Sequence, residues 1–317
     1  MENKKLNILG VLPVSIGGRL TTSSILDGFR QLGHNVSVFD ELSGENFCAF
    51  YAHLDEKQDL IVGYDFSPIE LKHNYELSMK CVSYFSDEIR SRASGPNWED
   101  DLKYLNEEDI YIFYWDRELV KQENFKNIFY LPHFVNTEIY KNLNLEFEID
   151  VMFAGRLDSG YRLDTFVSLV ESLPDVKFGW YAIEKHYNDA LSRVSNKDTI
   201  KKVYRGFIDN EEDMAREINK SKIVINMNSQ GISSLNYRTM QTIACGKLLI
   251  SDERAELDLF DKKIPTYNSV EELRQLIRYY LDNLEEYENV ASYCLKVCRT
   301  NYSSINGIRC ILSKLEA

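Results

Sequence analysis

The chain has 317 residues, enough for two domains with separate cores at roughly 150 residues each. Its apolar content of 44% is ordinary for a globular protein, and no run approaches the roughly 18 apolar residues that cross a bilayer. With 37 basic against 50 acidic residues the net charge is −13, which argues against nucleic acid as a partner and weakens docking to an anionic membrane, since both need a basic face.

The N-terminus, MENKKLNILGVLP, runs straight into a strand pattern with no small-residue cleavage site, so a cytoplasmic protein is expected. Six cysteines (Cys48, Cys81, Cys245, Cys294, Cys298, Cys310) form no C-x-x-C pair, which sets zinc and thioredoxin chemistry aside. Cys294 and Cys298, at i and i+4, read as helix packing. The acidic clusters Glu99–Asp101, Glu107–Asp109 and Glu211–Asp213 read as solvated helix and loop faces.

Leu6 to Leu12 reads as a first buried strand. A loop with Pro13, Gly17 and Gly18 follows, then a helix from about Thr22 to Leu32 with Ile25, Phe29 and Leu32 on one face and Gly33 as its stop. Asn35 to Phe39 is the second strand, so the chain opens as a βαβ unit. Gly17-Gly18 is not a dinucleotide fingerprint; the pair either lets a ligand approach the backbone at the carboxyl end of the sheet or makes a plain turn. Further strands are expected at Leu60–Tyr64, Met79–Phe85, Asp109–Phe113 and Asn127–Leu131. Asp65 and Asp87 sit just past strand ends, where open α/β sheets bind ligands, and either is a candidate catalytic carboxylate or a helix N-cap.

A second α/β domain starts near Glu148. Ile149–Ala154 is its first strand, followed by Gly155, Arg156 and Leu157, then Gly160, Tyr161 and Arg162 before a helix. An arginine in such a loop suits a diphosphate, because its fork donates two parallel hydrogen bonds. Strands follow at Val176–Trp180 and Val203–Phe207. The stretch from Lys222 to Glu253 organises the rest: a strand to Asn226, a polar loop (Asn228, Ser229, Gln230, Gly231, Ser233, Ser234), a helix from about Asn236 to Cys245, Gly246 as C-cap, and a strand from Leu248. Ser234, Arg238 and Gln241 at i, i+4 and i+7 make a polar stripe. Loop amides with an arginine at a helix N-terminus make an anion site, most naturally for phosphate. Ile264–Tyr267 and a helix from Val270, capped by Ser269 with Glu272, come next, and Val290–Leu315 is helical in pattern.

The run Arg238-Thr239-Met240-Gln241-Thr242-Ile243-Ala244-Cys245-Gly246 resembles the Arg-x-x-Glu-x-x-Ala-x-Gly donor segment of GT-B glycosyltransferases, in the glycosyl transferases group 1 branch that includes CgeB-type proteins. Gly155-Arg156-Leu157 is similar to the Gly-Arg-Leu segment of the same enzymes. The resemblance implies an α/β GT-B fold of two Rossmann-like domains facing a cleft: residues 1–146 for the acceptor, 147–317 for the nucleotide sugar, with terminal helices that cross back. It implies a donor site of Arg156, Arg162, Gly206, Phe207, Asn228, Ser229, Gly231, Ser234, Asn236, Arg238 and Gln241. Gly17, Gly18 and His133, in the crossover-like LPHFVN segment, fall on the acceptor or cleft side, and Asp87 is preferred over Asp65 as catalytic base. No Asp-x-Asp motif occurs, so arginines in place of a metal, and no cofactor, are expected.

Two family glutamates stand here as Ser233 and Gln241, which leaves the stereochemistry open. The expected activity is sugar transfer from a nucleotide sugar to a glycan, lipid-linked or protein acceptor. The rival is a catalytically silent GT-B partner subunit, and a sugar-nucleotide epimerase is a third reading. Peripheral membrane or partner-protein association stays open.

Overall fold

The computed structural model describes residues 4–89, 102–158, 160–229 and 231–316; the Glu99–Asp101 cluster lies outside them. The chain divides into two compact units. The first comprises Met1–Asn136, Gln230–Leu235 and Tyr302–Ala317, and the second Thr137–Ser229 and Asn236–Asn301.

In the first unit, β1 (Asn7–Leu12), β2 (Asn35–Asp40), β3 (Leu60–Tyr64), β4 (Lys80–Phe85), β5 (Ile110–Tyr114) and β6 (Ile128–Tyr130) form a parallel sheet in the order β2-β1-β3-β4-β5-β6. Apolar runs such as Leu60-Ile61-Val62 are buried throughout, as strands covered on both faces require. Helix α1 (Ile16–Gln31) buries Ile25, Leu26 and Phe29. A Cβ on Gly10 of β1 would lie 2.4 Å from Leu26 Cδ1, so the absence of a side chain there lets α1 seat on the sheet. Shorter helices α2 (Phe47–Ala52), α3 (Ser67–Asn74) and α4 (Arg117–Gln122) lie in the β2–β3, β3–β4 and β5–β6 crossovers. The final helix of the chain, α12 (Ser304–Glu316), joins this core through Ile308, Ile311, Leu312 and Leu315. It packs closely on α1, where a Cβ on Gly28 would meet Ser304 O at 3.0 Å.

Helix α1 starts at Ile16, a turn and a half before the expected Thr22, so Gly17 and Gly18 lie in its first turn and not in a loop. The physical reason is a close approach. A Cβ at Gly18 would sit 2.7 Å from the Tyr64 ring and 2.8 Å from Pro13, whereas Gly17 faces open space.

In the second unit, β7 (Ile149–Ala154), β8 (Phe178–Tyr181), β9 (Ser221–Asn226), β10 (Leu248–Asp252) and β11 (Thr266–Tyr267) form a parallel sheet in the order β11-β10-β9-β7-β8. Its helices are α5 (Gly160–Ser172), α6 (Glu184–Arg193), α7 (Lys197–Lys201), α8 (Glu211–Asn219), α9 (Tyr237–Ala244), α10 (Val270–Asp282) and α11 (Leu284–Asn301). Trp180 and Phe166 are fully buried at the centre of this core, and Cys294 and Cys298 are buried on α11.

The expected strand at Val203–Phe207 is reduced to a single bridge between Tyr204 and Trp180, because Gly206 at φ +97 turns the chain away. Glu211 is buried, not solvated, and its Oε1 accepts from Tyr237 Oη at 3.1 Å. Helix α10 begins as expected: Ser269 Oγ accepts from Glu272 N–H at 3.2 Å, while Glu272 reaches back to Asn268 N–H at 2.7 Å.

Candidate functional site

In both sheets the strand order reverses beside the first strand, between β1 and β3 in one unit and between β7 and β9 in the other. Open α/β sheets bind ligands in the crevice outside the carboxyl ends of the strands at such a reversal.

In the second unit that crevice is held by Arg162, in the first turn of α5. Its side chain is buried, and its guanidinium donates to the carbonyl of Arg156, after β7, at 3.2 Å, and to that of Met227, after β9. One cation therefore ties together the two loops that flank the reversal. Burial pulls its pKa down, with Asp158 opposing that from 3.8 Å. Arg156 itself is half exposed beside Asp158, with Nε 3.3 Å from Oδ2.

Next to it the ends of β9 and β10 are cross-linked. Asp252 accepts from the Asn228 main-chain N–H at 3.1 Å and from Asn228 Nδ2 at 2.8 Å, and Arg254 Nε lies 3.6 Å from its Oδ2. Asn226 donates to Ser251 Oγ at 3.2 Å and accepts from Asn236, whose own Oδ1 caps α9 by accepting from Thr239 N–H at 3.2 Å. Asp252 and Arg254 went unnoticed in the sequence, although Asp252 ends the strand that starts at Leu248 and Arg254 lies two residues beyond it.

Arg238 follows on the first turn of α9. It is half buried, its Nε is enclosed without a hydrogen-bond partner, and its Nη1 donates to Gln241 Oε1. Burial lowers its pKa; the neighbours that oppose this are Tyr140, Tyr237 and Cys245, and no carboxylate is among them. Gln241, fully buried, spends both ends of its amide internally, since Nε2 donates to Tyr140 Oη. The expected stripe therefore does not form: Ser234 precedes the Asn236 N-cap, and Gln241 faces the interior.

Phe207 is 45% exposed and walls a pocket of about 470 Å³ together with Tyr181, Arg205, Ile208, Asp209 and Asp213. Gly206 O accepts from Ala182 N–H at 2.9 Å, which fixes the turn that presents Phe207. Ser229 is exposed.

The first unit places carboxylates at the same edge. Asp40 is clasped by Arg19 at 2.6 and 2.7 Å, which lowers the carboxyl pKa and raises that of the guanidinium. Asp65 is buried at φ +50 and is not the N-cap of α3, a position held by Phe66. Asp87, two residues past β4, is half exposed. His133 is buried, and its Nδ1 lies 3.1 Å from Tyr84 Oη; burial brings its pKa down to about 3, so the ring is neutral. Asp116, which the sequence did not flag, caps α4 and is fully buried.

The family model described as "Glycosyl transferase-like" matches residues 164–313. No curated protein sequence matches the chain. Among solved structures the chain is similar to the sucrose-phosphate synthase of Thermosynechococcus elongatus (TM-score 0.71, 10% identity, 98% of this chain and 99% of that one). It is also similar to Anabaena HepE in complex with UDP and glucose (0.68, 12%, 98% and 99%) and to a glycosyltransferase from Rickettsia africae (0.65, 15%, 98% and 97%). The fold is that of the GT-B glycosyltransferases. The glycosyl transferase-like signature lies within the second half of that fold.

Proposed function

We propose that this enzyme moves a sugar from a nucleoside-diphosphate sugar to a glycan, lipid-linked or protein acceptor, with arginines rather than a metal meeting the diphosphate charge. The observation that carries the reading is Arg238, a guanidinium on the first turn of α9 with an enclosed, unpartnered Nε and no carboxylate partner among the described residues. A half-buried cation without an anion is costly unless a ligand supplies one. The helix N-terminus adds positive potential at the same point.

Arg156 is exposed enough to reach a phosphate, Arg162 holds the crevice in shape, and Gly206 with Phe207 offers a face to the base. Asn228, Ser229 and Asn236 border the phosphates. The departing diphosphate gains negative charge as the glycosidic bond breaks, and fixed guanidinium donors stabilise that charge without reorganising. Asp87, half exposed at the carboxyl edge of the first sheet, takes the proton of the attacking acceptor hydroxyl.

The test is a thermal-shift panel of nucleoside diphosphates and sugar nucleotides in EDTA, starting from UDP because HepE binds it. Saturating one base family at about 100 Kd should add roughly 2.7 kcal/mol of stability. Arg238→Ala should weaken that ligand by about ten- to a hundredfold, the range for a charge-assisted hydrogen bond of about 1.5–3 kcal/mol. A flat panel would instead favour the silent-partner reading.

A further inference from the structure

The loop after β9 has the composition of a phosphate cradle, but its amides already hold an anion. Asp116 Oδ2 accepts from the main-chain N–H groups of Ile232 at 2.7 Å, Ser233 at 2.9 Å and Ser234 at 3.1 Å. Oδ1 accepts from Ser233 Oγ at 2.8 Å and from the N–H groups of Glu118 at 2.9 Å and Leu119 at 3.0 Å. Three consecutive N–H groups converging on one oxygen is the way backbone binds phosphate and other anions. Here the anion is part of the chain.

Gly231 makes the approach feasible: its φ is +73, and a Cβ there would lie 2.7 Å from Asp116 Oδ2. A carboxylate offers about four lone-pair sites, so six donors saturate it. Burial pushes the Asp116 carboxyl pKa up, but the main-chain and Ser233 hydrogen bonds outweigh that and hold it below the usual range. With no exposed surface, it is reached by neither solvent nor ligand.

We infer that Asp116 is a positioning residue: its carboxylate fixes the Gly231–Ser234 loop in one conformation and withdraws those amides from phosphate binding, leaving the diphosphate to arginine side chains. The second half of this statement rests on the proposed donor reaction. The first half stands without it.

The experiment combines hydrogen–deuterium exchange over residues 231–235 with UDP titration calorimetry, on the full chain and on Asp116→Asn. Asparagine keeps the shape but turns an N–H₂ toward N–H donors. The expected result has several parts. In the unsubstituted protein, exchange at 232–234 is slow and unchanged by UDP. In Asp116→Asn it is at least tenfold faster, with Ile223–Ile225 of β9 still protected, and the Kd for UDP moves by less than threefold. Gly231→Ala, which crowds the same oxygen, should give the same pattern, and Ser233→Ala, which removes one donor, a weaker one; these two decide the matter if Asp116→Asn does not fold.

Unchanged exchange in the variants would overturn the positioning role. UDP binding at least tenfold tighter in Asp116→Asn would also overturn it, by making the loop a phosphate site that Asp116 blocks. If the unsubstituted protein binds no nucleotide, the donor reading fails, and exchange alone judges Asp116.

Discussion

The two sheets share the strand order 2-1-3-4-5, extended by β6 in the first unit, yet their carboxyl edges carry opposite chemistry. The first edge gathers Asp40, Asp65, Asp87 and Asp116, with Arg19 spent on Asp40 and His133 kept neutral. The second gathers Arg156, Arg162, Arg238 and Arg254, with Asp158 and Asp252 engaged by arginine and asparagine. One topology thus carries aspartates along one carboxyl edge and arginines along the other. The difference lies in the loops, not in the sheets.

The largest test of that contrast is Asp87→Asn, expected to lower transfer by about 10²- to 10⁴-fold, as removal of a general base does, while leaving donor affinity within about twofold. Equal loss in Asp65→Asn and none in Asp87→Asn would move the base to the buried residue. On the cationic side, Arg162→Met removes the donors of two main-chain carbonyls and should cost about 3 kcal/mol in urea unfolding, besides the loss of nucleotide stabilisation. An unchanged midpoint would show that the β7 and β9 loops do not depend on this guanidinium.

His133 sharpens the contrast through pH. Its folded pKa lies below the unfolded value, so between about pH 6.5 and 3 the unfolded chain binds a proton that the native protein does not, and stability falls as pH drops through that window. The loss from pH 7 to pH 5 should be about 2 kcal/mol, and His133→Gln should flatten it in denaturant titrations at the two pH values. Asp116 acts lower on the scale: with its pKa depressed, its contribution is present above about pH 3.9 and is lost only as pH falls through the folded value. Smallest is Arg19→Ala. Its pair with Asp40 is partly exposed, so the cost should stay below about 1 kcal/mol, and a larger value would mean that the clasp organises the first edge.

Strands β3 and β7 were legible to the residue, because each is an apolar run bounded by polar turns. Helix α10 was legible from its capping box. The start of α1 was not, since glycines in a first turn read as loop unless the Tyr64 ring and Pro13 that crowd them are in view. Gln241 read as part of a polar stripe at the donor site because helical spacing cannot reveal Tyr140, about a hundred residues upstream, which accepts its proton. Asp116 was invisible for the same reason: its partners at 232–234 are more than a hundred residues away, and locally it is only a helix cap. Short-range periodicity thus set out the scaffold, while the polar contacts that shape the site are long-range.

The first unit is assembled from three separated stretches of chain, and α12 supplies Ile308, Ile311, Leu312 and Leu315 to its core. The residues of α1 therefore complete their hydrophobic environment only with a helix 280 residues further along the chain. Until Ser304–Glu316 docks, the α1 surface around Ser24 and Gly28 lacks that cover, and apolar surface left open in this way favours aggregation. Expressing residues 1–146 alone would freeze the chain at that stage.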